Sequence, residues 1–181
     1  MDIVLRPARP ADAEEMTSWF ADFAKLAEWG GPEVSFPLTP DQLAAWIAEG
    51  VNERPRICFT VDDEGRPVGH VQFLRDPPKH WARLGRFGIA PKRRGAGFGR
   101  ALFDEAVRFA FTELNVEHLA LAVVPSNDKA RRLYLRAGFR DEGTMPGPSL
   151  NGQNWMATLM GLKRNEWLRR RETESGAARV A

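Results

Sequence analysis

Three alternating glycines constrain this 181-residue chain more than any other feature: Arg94-Gly95-Ala96-Gly97-Phe98-Gly99-Arg100. They follow an apolar run, Leu84 to Ala90, and open a segment in which Phe103, Val107, Ala110, Phe111 and Leu114 recur at helical spacing. A strand that feeds a helix through such a turn exposes main-chain N–H groups that no side chain covers. The helix adds roughly half a positive charge at its first turn. Arg94 and Arg100 bracket the turn and can reach the same anion. The pattern reads as a pyrophosphate cradle, so the chain is expected to bind a nucleotide-type cofactor.

Three kinds of anion loop compete for this reading. A dinucleotide loop wants G-x-G-x-x-G and an acid about 20 residues later at a strand end. Here the spacing is G-x-G-x-G and the next strand ends in Ala122-Val123-Val124. A P-loop needs Gly-Lys-Ser/Thr, and Gly99-Arg100-Ala101 supplies neither residue. What remains is R-x-x-G-x-G. A glycine-rich turn that binds nothing stays open for so short a motif.

Around this centre the chain alternates strands and helices. Residues 2–6 read as a short strand, and Pro10-Ala11-Asp12 starts a helix to about Leu26. Trp29-Gly30-Gly31-Pro32 breaks the chain, and Thr39-Pro40 starts a helix to about Glu49. Residues 56–61 and 67–74 predict a hairpin across Asp62-Asp63-Glu64-Gly65, ended by Pro77-Pro78, and 82–90 a further strand. His118 to Val124 reads as a buried strand. Asn127 to Ala137 carries Ala130, Leu133, Tyr134 and Ala137 on one helical face, with Gly138 as its natural stop. Residues 139–142 and 154–163 close a mixed α/β domain spanning 1–165.

Charge and composition narrow the function. Five arginines against three glutamates in residues 164–181 carry the whole formal excess of +2, so the body is neutral and offers no nucleic-acid groove. Residues 166–181 read as a polar, basic tail, partly disordered, whose last ten residues fray. No apolar run approaches the ~18 residues of a membrane span, and no signal sequence opens the chain. One cysteine, Cys58, suits a reducing compartment, and a cytoplasmic protein is expected.

Four pieces now stand in order: the strand Arg86-Phe87-Gly88-Ile89-Ala90-Pro91, the glycine loop, a strand, and Asn127-Asp128-Lys129-Ala130-Arg131-Arg132-Leu133-Tyr134-Leu135-Arg136-Ala137-Gly138-Phe139. Together they resemble the GNAT superfamily of N-acyltransferases, with its R-x-x-G-x-G loop and N-x-x-A-x-x-L-Y-x-x-x-G-F helix, clearly over about residues 55–165. The chain's end, with Met156, Met160 and Trp167, is similar to the branch that includes ribosomal-protein N-terminal acetyltransferases.

The resemblance implies a mostly antiparallel sheet flanked by helices, with two splayed parallel strands forming an acetyl-CoA cleft. It implies that Phe87, Gly88 and Ile89 meet the pantetheine and that the amides of Arg94, Gly95, Ala96, Gly97, Phe98, Gly99 and Arg100 receive the pyrophosphate. Asn127, Lys129 and Ala130 would complete the cofactor site, and Tyr134 would point at the thioester sulfur. An amine acceptor follows from the same likeness, and a homodimer is open.

Tyr134 is the only tyrosine beside 11 phenylalanines, so a lone hydroxyl here invites a chemical role: protonating the departing thiolate. A packed aromatic on an amphipathic helix explains it equally from spacing alone. Ile89 N–H is the expected donor to the thioester oxygen. The base is less legible. Ala82 to Ala90 holds no acid and Ala122 stands where many relatives carry Glu; Asp128 and Glu142 read as solvated charges. A water relay, or Glu28 or Glu33, remains open. An α-amine of pKa about 7.8 is roughly 10–15% free at pH 7 and a lysine well below 0.1%, so a missing base favours a low-pKa amine.

His70, His80 and His118 lack ligand spacing and predict no metal site; His70 either lines the substrate pocket or packs as a strand residue. Cys58 reads as a buried hydrophobe. One of Lys129, Arg131 and Arg132 could meet the 3′-phosphate of CoA. Trp19, Trp29 and Trp46 cluster near the expected acceptor wall, where Trp29 could face a cationic amine. The expectation is direct acetyl transfer from acetyl-CoA to a primary amine, a small molecule or a protein N-terminus. Two rivals stand beside it: a CoA-binding sensor or partner-binding module without catalysis, and a nucleotide-dependent oxidoreductase or kinase.

Overall fold

The computed structural model describes residues 3–31, 34–49, 56–150 and 153–178. Seven strands form one sheet in the order β1-β2-β3-β4-β5-β7-β6. They are β1 (Arg6–Pro7), β2 (Arg56–Asp63), β3 (Arg66–Asp76), β4 (Trp81–Ile89), β5 (His118–Val123), β6 (Arg140–Leu150) and β7 (Gln153–Lys163). Six helices accompany them: α1 (Asp12–Thr17), α2 (Phe23–Gly30), α3 (Pro40–Glu49), α4 (Phe98–Thr112), α5 (Asp128–Ala137) and α6 (Arg164–Ala178).

Every pairing is antiparallel except β4 with β5. That parallel pair follows from the crossover through α4, as a parallel connection requires. Its ladder runs only from Trp81↔His118 to Leu84↔Leu121, whereas β4 continues five residues to Ile89. Beyond Leu84 the two strands part. The cause lies in the β3–β4 register, where Gln72 pairs Gly85 but His70 pairs Gly88, leaving Arg86 and Phe87 opposite Val71. This β-bulge holds Arg86 at φ +45°, and a bulge bends its strand.

The core is aromatic on the α4 side. Phe73, Phe103 and Phe111 are fully buried, and Phe59 meets Phe109 with centroids 4.7 Å apart. Arg6 staples the N-terminal segment to β2 through Asp62 at 2.6 Å and Asp12 at 2.8 Å. Burial would raise the Asp12 carboxyl, but Arg6, the Arg9 amide and the Thr60 hydroxyl outweigh it and hold the pKa below the ordinary carboxylate value.

Several boundaries differ from expectation. The single helix predicted from Pro10 to Leu26 is two, because Asp22 accepts from Lys25 N at 2.8 Å and caps α2 anew. β1 is shorter than the strand expected at 2–6, of which residue 2 lies outside the described residues, as does Pro32 of the predicted break. β6 extends through Thr144, Met145 and Pro146; it lies at the sheet edge, where proline is tolerated. Where the sequence suggested a fraying tail there is helix α6, tied down by Trp167 against Phe111 (5.1 Å between centroids) and by Arg164 donating to the Phe111 carbonyl. Residues 179–181 of that tail lie outside the described residues.

Candidate active site

The parting of β4 and β5 opens a cavity of about 680 Å³. Its floor is main chain. Ala90 N donates to Val68 O at 2.8 Å, so by strand alternation the amide and carbonyl of Ile89 face the other edge, toward β5. The Ile89 carbonyl there accepts from Arg94 Nε at 3.0 Å. Gly88 lies directly under Trp29: a Cβ on it would stand 2.9 Å from Trp29 Nε1.

The glycine loop closes one end of this cleft. Gly95 (φ +83°) and Gly97 (φ +88°) adopt the left-handed conformation that glycine reaches without strain. A Cβ on either would meet nothing within 4 Å, so the requirement here is conformational, with open space above the backbone. Gly97 caps α4, whose first helical bond runs from Ala101 N to Gly97 O at 3.1 Å. The amides of Phe98, Gly99 and Arg100 therefore have no partner within the helix, the kind of unpaired N–H cluster that suits an anion.

Of the residues expected to bind the cofactor, Phe87, Gly88, Ile89, Arg94, Gly95 and Gly99 line the cleft. From the opposite wall, Asn127, Lys129, Ala130 and Tyr134 line it as well. Ala96, Gly97 and Arg100 open instead onto a second groove, of about 780 Å³, between α4, α5 and α6. Arg100 there pairs with Asp104 at 2.6 Å, so the two bracketing arginines diverge rather than meet. Phe98 packs against the core.

On α5 the sequence reading and the geometry coincide locally. Asn127 caps the helix, its Oδ1 accepting from Ala130 N at 3.2 Å, and Gly138 (φ +102°) ends it. Tyr134 is buried against Phe103, with centroids 5.0 Å apart, and burial pushes its phenol above the ordinary value. It stays protonated throughout the neutral range and is a donor, not a base. Arg131 turns away to Asp141 at 2.7 Å.

Beyond Leu84 the cleft continues through the sheet into a cavity of about 350 Å³ beneath α2 and the β6–β7 hairpin. Glu28, Trp29, Leu84, Gly85, Arg86 and Ala122 line both cavities. Among the described residues Glu28 is the one carboxylate at this junction. Its Oε1 accepts from Ser126 Oγ at 3.0 Å and its Oε2 faces Lys25 Nζ at 3.2 Å. Glu33 lies outside the described residues. Asp128 and Glu142 line neither cavity; Glu142 contacts His118 Nε2 at 2.9 Å.

The remaining candidates separate cleanly. Trp29 stands at the junction, 4.7 Å from the Phe20 ring and 6.1 Å from Trp46. Trp19 lines the main cleft, while Trp46 lies under the Arg86 guanidinium, 3.8 Å from its centroid. His70 is fully buried behind this wall, lines no cavity, and contacts Gln72 Nε2 at 3.0 Å. Burial, with Arg86 adding to it, lowers its pKa to about 3. Burial raises the Cys58 thiol to about 11, so it is no thiolate nucleophile. No group of three or more His, Cys, Asp or Glu that could hold a metal occurs among the described residues. No described helix is long and apolar enough to cross a membrane.

Sequence reasoning missed Lys25, Gln72 and the arginines of the smaller cavity, Arg56, Arg83 and Arg86. Arg83 and Arg86 within an otherwise apolar strand were the one available signal.

The donors present fit the acyl-CoA that the resemblance implies: unpartnered first-turn amides, a left-handed glycine pair, and an outward-facing strand edge across from Tyr134. Comparison with known proteins agrees. Residues 2–140 match the acetyltransferase (GNAT) domain family. The chain is 28% identical over 134 residues to a spermidine N(1)-acetyltransferase of Vibrio cholerae, covering 73% of this chain and 78% of the relative. It is 28% identical over 124 residues to that of Escherichia coli, covering 68% and 67%. The crystal structure of spermidine N-acetyltransferase from Vibrio cholerae in complex with CoA and spermine shares the fold, with a TM-score of 0.77 at 24% identity over 92% of this chain and 98% of that one. The chain thus belongs to the GNAT family and is an acetyl-CoA-dependent N-acetyltransferase.

Proposed function

We propose that the chain acetylates a primary amine by direct attack in a ternary complex, with acetyl-CoA in the larger cavity and the amine in the smaller. The observation that carries this reading is the junction of the two cavities at Glu28 and Trp29, across the parted ends of β4 and β5. Two substrates entering from opposite faces of the sheet meet there without an enzyme-bound acyl group, and the protonated, buried Cys58 offers no alternative carrier.

Acetyl-CoA supplies a thioester carbonyl carbon; the amine nitrogen forms a bond to it as the carbon–sulfur bond breaks. The Ile89 amide, directed at the open edge, is the donor placed to hold the carbonyl oxygen as charge develops. Tyr134 gives its proton to the departing sulfur and regains one from the second proton that the attacking nitrogen sheds as the amide forms. Glu28 takes the proton that the ammonium must lose, and its contacts with Ser126 and Lys25 fix its orientation. The loop amides and Arg94 hold the diphosphate, and Asn127 positions the far wall.

Tyr134→Phe tests this assignment. With thiol release as the readout, kcat is expected to fall by about 10²-fold or more while the KM for acetyl-CoA stays within about twofold. Unchanged turnover would remove the role given to the hydroxyl.

A further inference from the structure

The carboxylate assigned to take the acceptor's proton already has an ammonium beside it. Lys25 and Glu28 stand three residues apart on α2, a spacing that puts both side chains on one helical face. Lys25 Nζ is 3.2 Å from Glu28 Oε2; the Lys25 side chain is 58% exposed and that of Glu28 16%. Ser126 Oγ holds the other carboxylate oxygen at 3.0 Å, which leaves Oε2 to the lysine. Both residues line the larger cavity, together with Ile89 and Tyr134. Lys25 does not line the smaller one, so its amine meets Glu28 from the acetyl-CoA side.

An acceptor ammonium has to come within hydrogen-bond reach of the base, and this one is there without a binding step. A tethered nucleophile also gains in effective concentration over a free one. Two other lysines each lack half of this arrangement. Lys129 shares the cavity but makes no ion pair among the described residues. Lys79 pairs with Asp76 at 2.8 Å and at the same helical spacing, yet it lines neither cavity of the site.

We infer that Lys25 is a self-acetylation site: with acetyl-CoA bound and no other amine present, the chain transfers the acetyl group to its own Lys25 Nζ. This rests on the proposed transfer chemistry. Glu28 takes one proton from the ammonium and passes it to solvent. Nζ forms a bond to the thioester carbonyl carbon as the carbon–sulfur bond breaks. Tyr134 protonates the sulfur and regains a proton from the second one that the nitrogen sheds. The products are the CoA thiol, a neutral acetamide on Lys25 and one released proton. The acetamide has no charge, so the ion pair with Glu28 ends and the event occurs once per chain.

The test incubates the full chain with acetyl-CoA and no added amine, and follows every lysine by peptide mass mapping. Lys25 is expected to be acetylated at least about tenfold faster than Lys79, Lys92, Lys129 or Lys163. Its rate per chain should not change when the chain is diluted. Tyr134→Phe should slow Lys25 by about 10²-fold and leave the other four lysines as they were. Lys25→Arg keeps a cation beside Glu28 and should abolish the fast phase. Lys25 acetylated no faster than Lys79, or equally fast in Tyr134→Phe, would overturn the inference. A rate that falls in proportion to chain concentration would assign the step to a second chain and overturn it too. Thiol release with spermidine or a tetrapeptide with a free N-terminus, measured in parallel, separates the two levels. Tyr134-dependent release with either amine, beside an unmodified Lys25, would refute self-acetylation and leave the transfer reading intact. Fast, Tyr134-dependent acetylation of Lys25 with no further thiol released by either amine would support self-acetylation and count against a free amine acceptor.

Discussion

Glu28 and Tyr134 both line the larger cavity, and their environments suit the opposite tasks proposed for them. Tyr134 is enclosed by Phe103 and Phe139, and burial keeps its proton on. Glu28 sits between a hydroxyl and an ammonium, which hold its carboxylate in place. If Glu28 removes a proton from the incoming ammonium, its value declines once solution already holds the amine free. Glu28→Gln is therefore expected to lower kcat/KM strongly at pH 7 and progressively less toward pH 10, measured against the unaltered chain; a deficit independent of pH would assign Glu28 to binding alone. His70 carries a separate pH signature. Its folded pKa of about 3 lies below the ordinary 6.5, so between these values the unfolded chain binds a proton that the folded chain does not. Stability must then fall as pH drops from about 6.5 toward 3, at up to roughly 1.4 kcal/mol per unit. Urea unfolding at pH 7 and pH 4.5 should show His70→Gln losing about 2 kcal/mol less than the unaltered chain across that interval; parallel losses would contradict a neutral buried imidazole.

At the scale of elements, the glycine loop and α5 were legible because their determinants are local. Gly95 and Gly97 occupy positive φ, Asn127 is followed three residues later by the amide it caps, and Gly138 ends the helix in the left-handed region. The split of α1 from α2 was less legible, since Asp22 sits inside a pattern that continues as apolar helix. The bulge at Arg86 was not legible at all: it is a fact of register between β3 and β4, and alternation along one strand cannot reveal where its partner skips a residue. Loop chemistry gives a direct test. Gly97→Asp forces a side chain into positive φ and sets a carboxylate beside the diphosphate, so acetyl-CoA affinity should fall by roughly 10²-fold. Gly97→Ala carries the same cost of positive φ without the charge, so it should lose less than Gly97→Asp by the share due to the carboxylate's repulsion of the diphosphate. Calorimetry on both variants decides; equal losses would place the requirement in conformation rather than in the anion.

For the whole molecule, the decisive arrangement is a sheet that holds together along six antiparallel or parallel seams yet opens along half of one. The bend at Arg86 lies where β4 separates from β5 and puts Arg86 in the lining of both cavities, so one irregularity shapes the two. The part of the cavity lining that was legible in the sequence lies along two continuous stretches, Phe87 to Gly99 and Asn127 to Tyr134, although Ala96 and Gly97 open onto the other groove. The other half is assembled from α2, β2 and β3, whose approach depends on tertiary packing that no local pattern encodes. Helix α6 shows the same limit: a polar, arginine-rich segment reads as a loose tail until Trp167 is seen resting on Phe111. A crystal structure of the chain with CoA bound tests the central claim most directly. It should place the pantetheine along Phe87 to Ile89 between the parted strands, with the diphosphate on the Gly95–Arg100 amides and the sulfur facing Tyr134. CoA seated in the groove between α4, α5 and α6, with the parted strands empty, would contradict it.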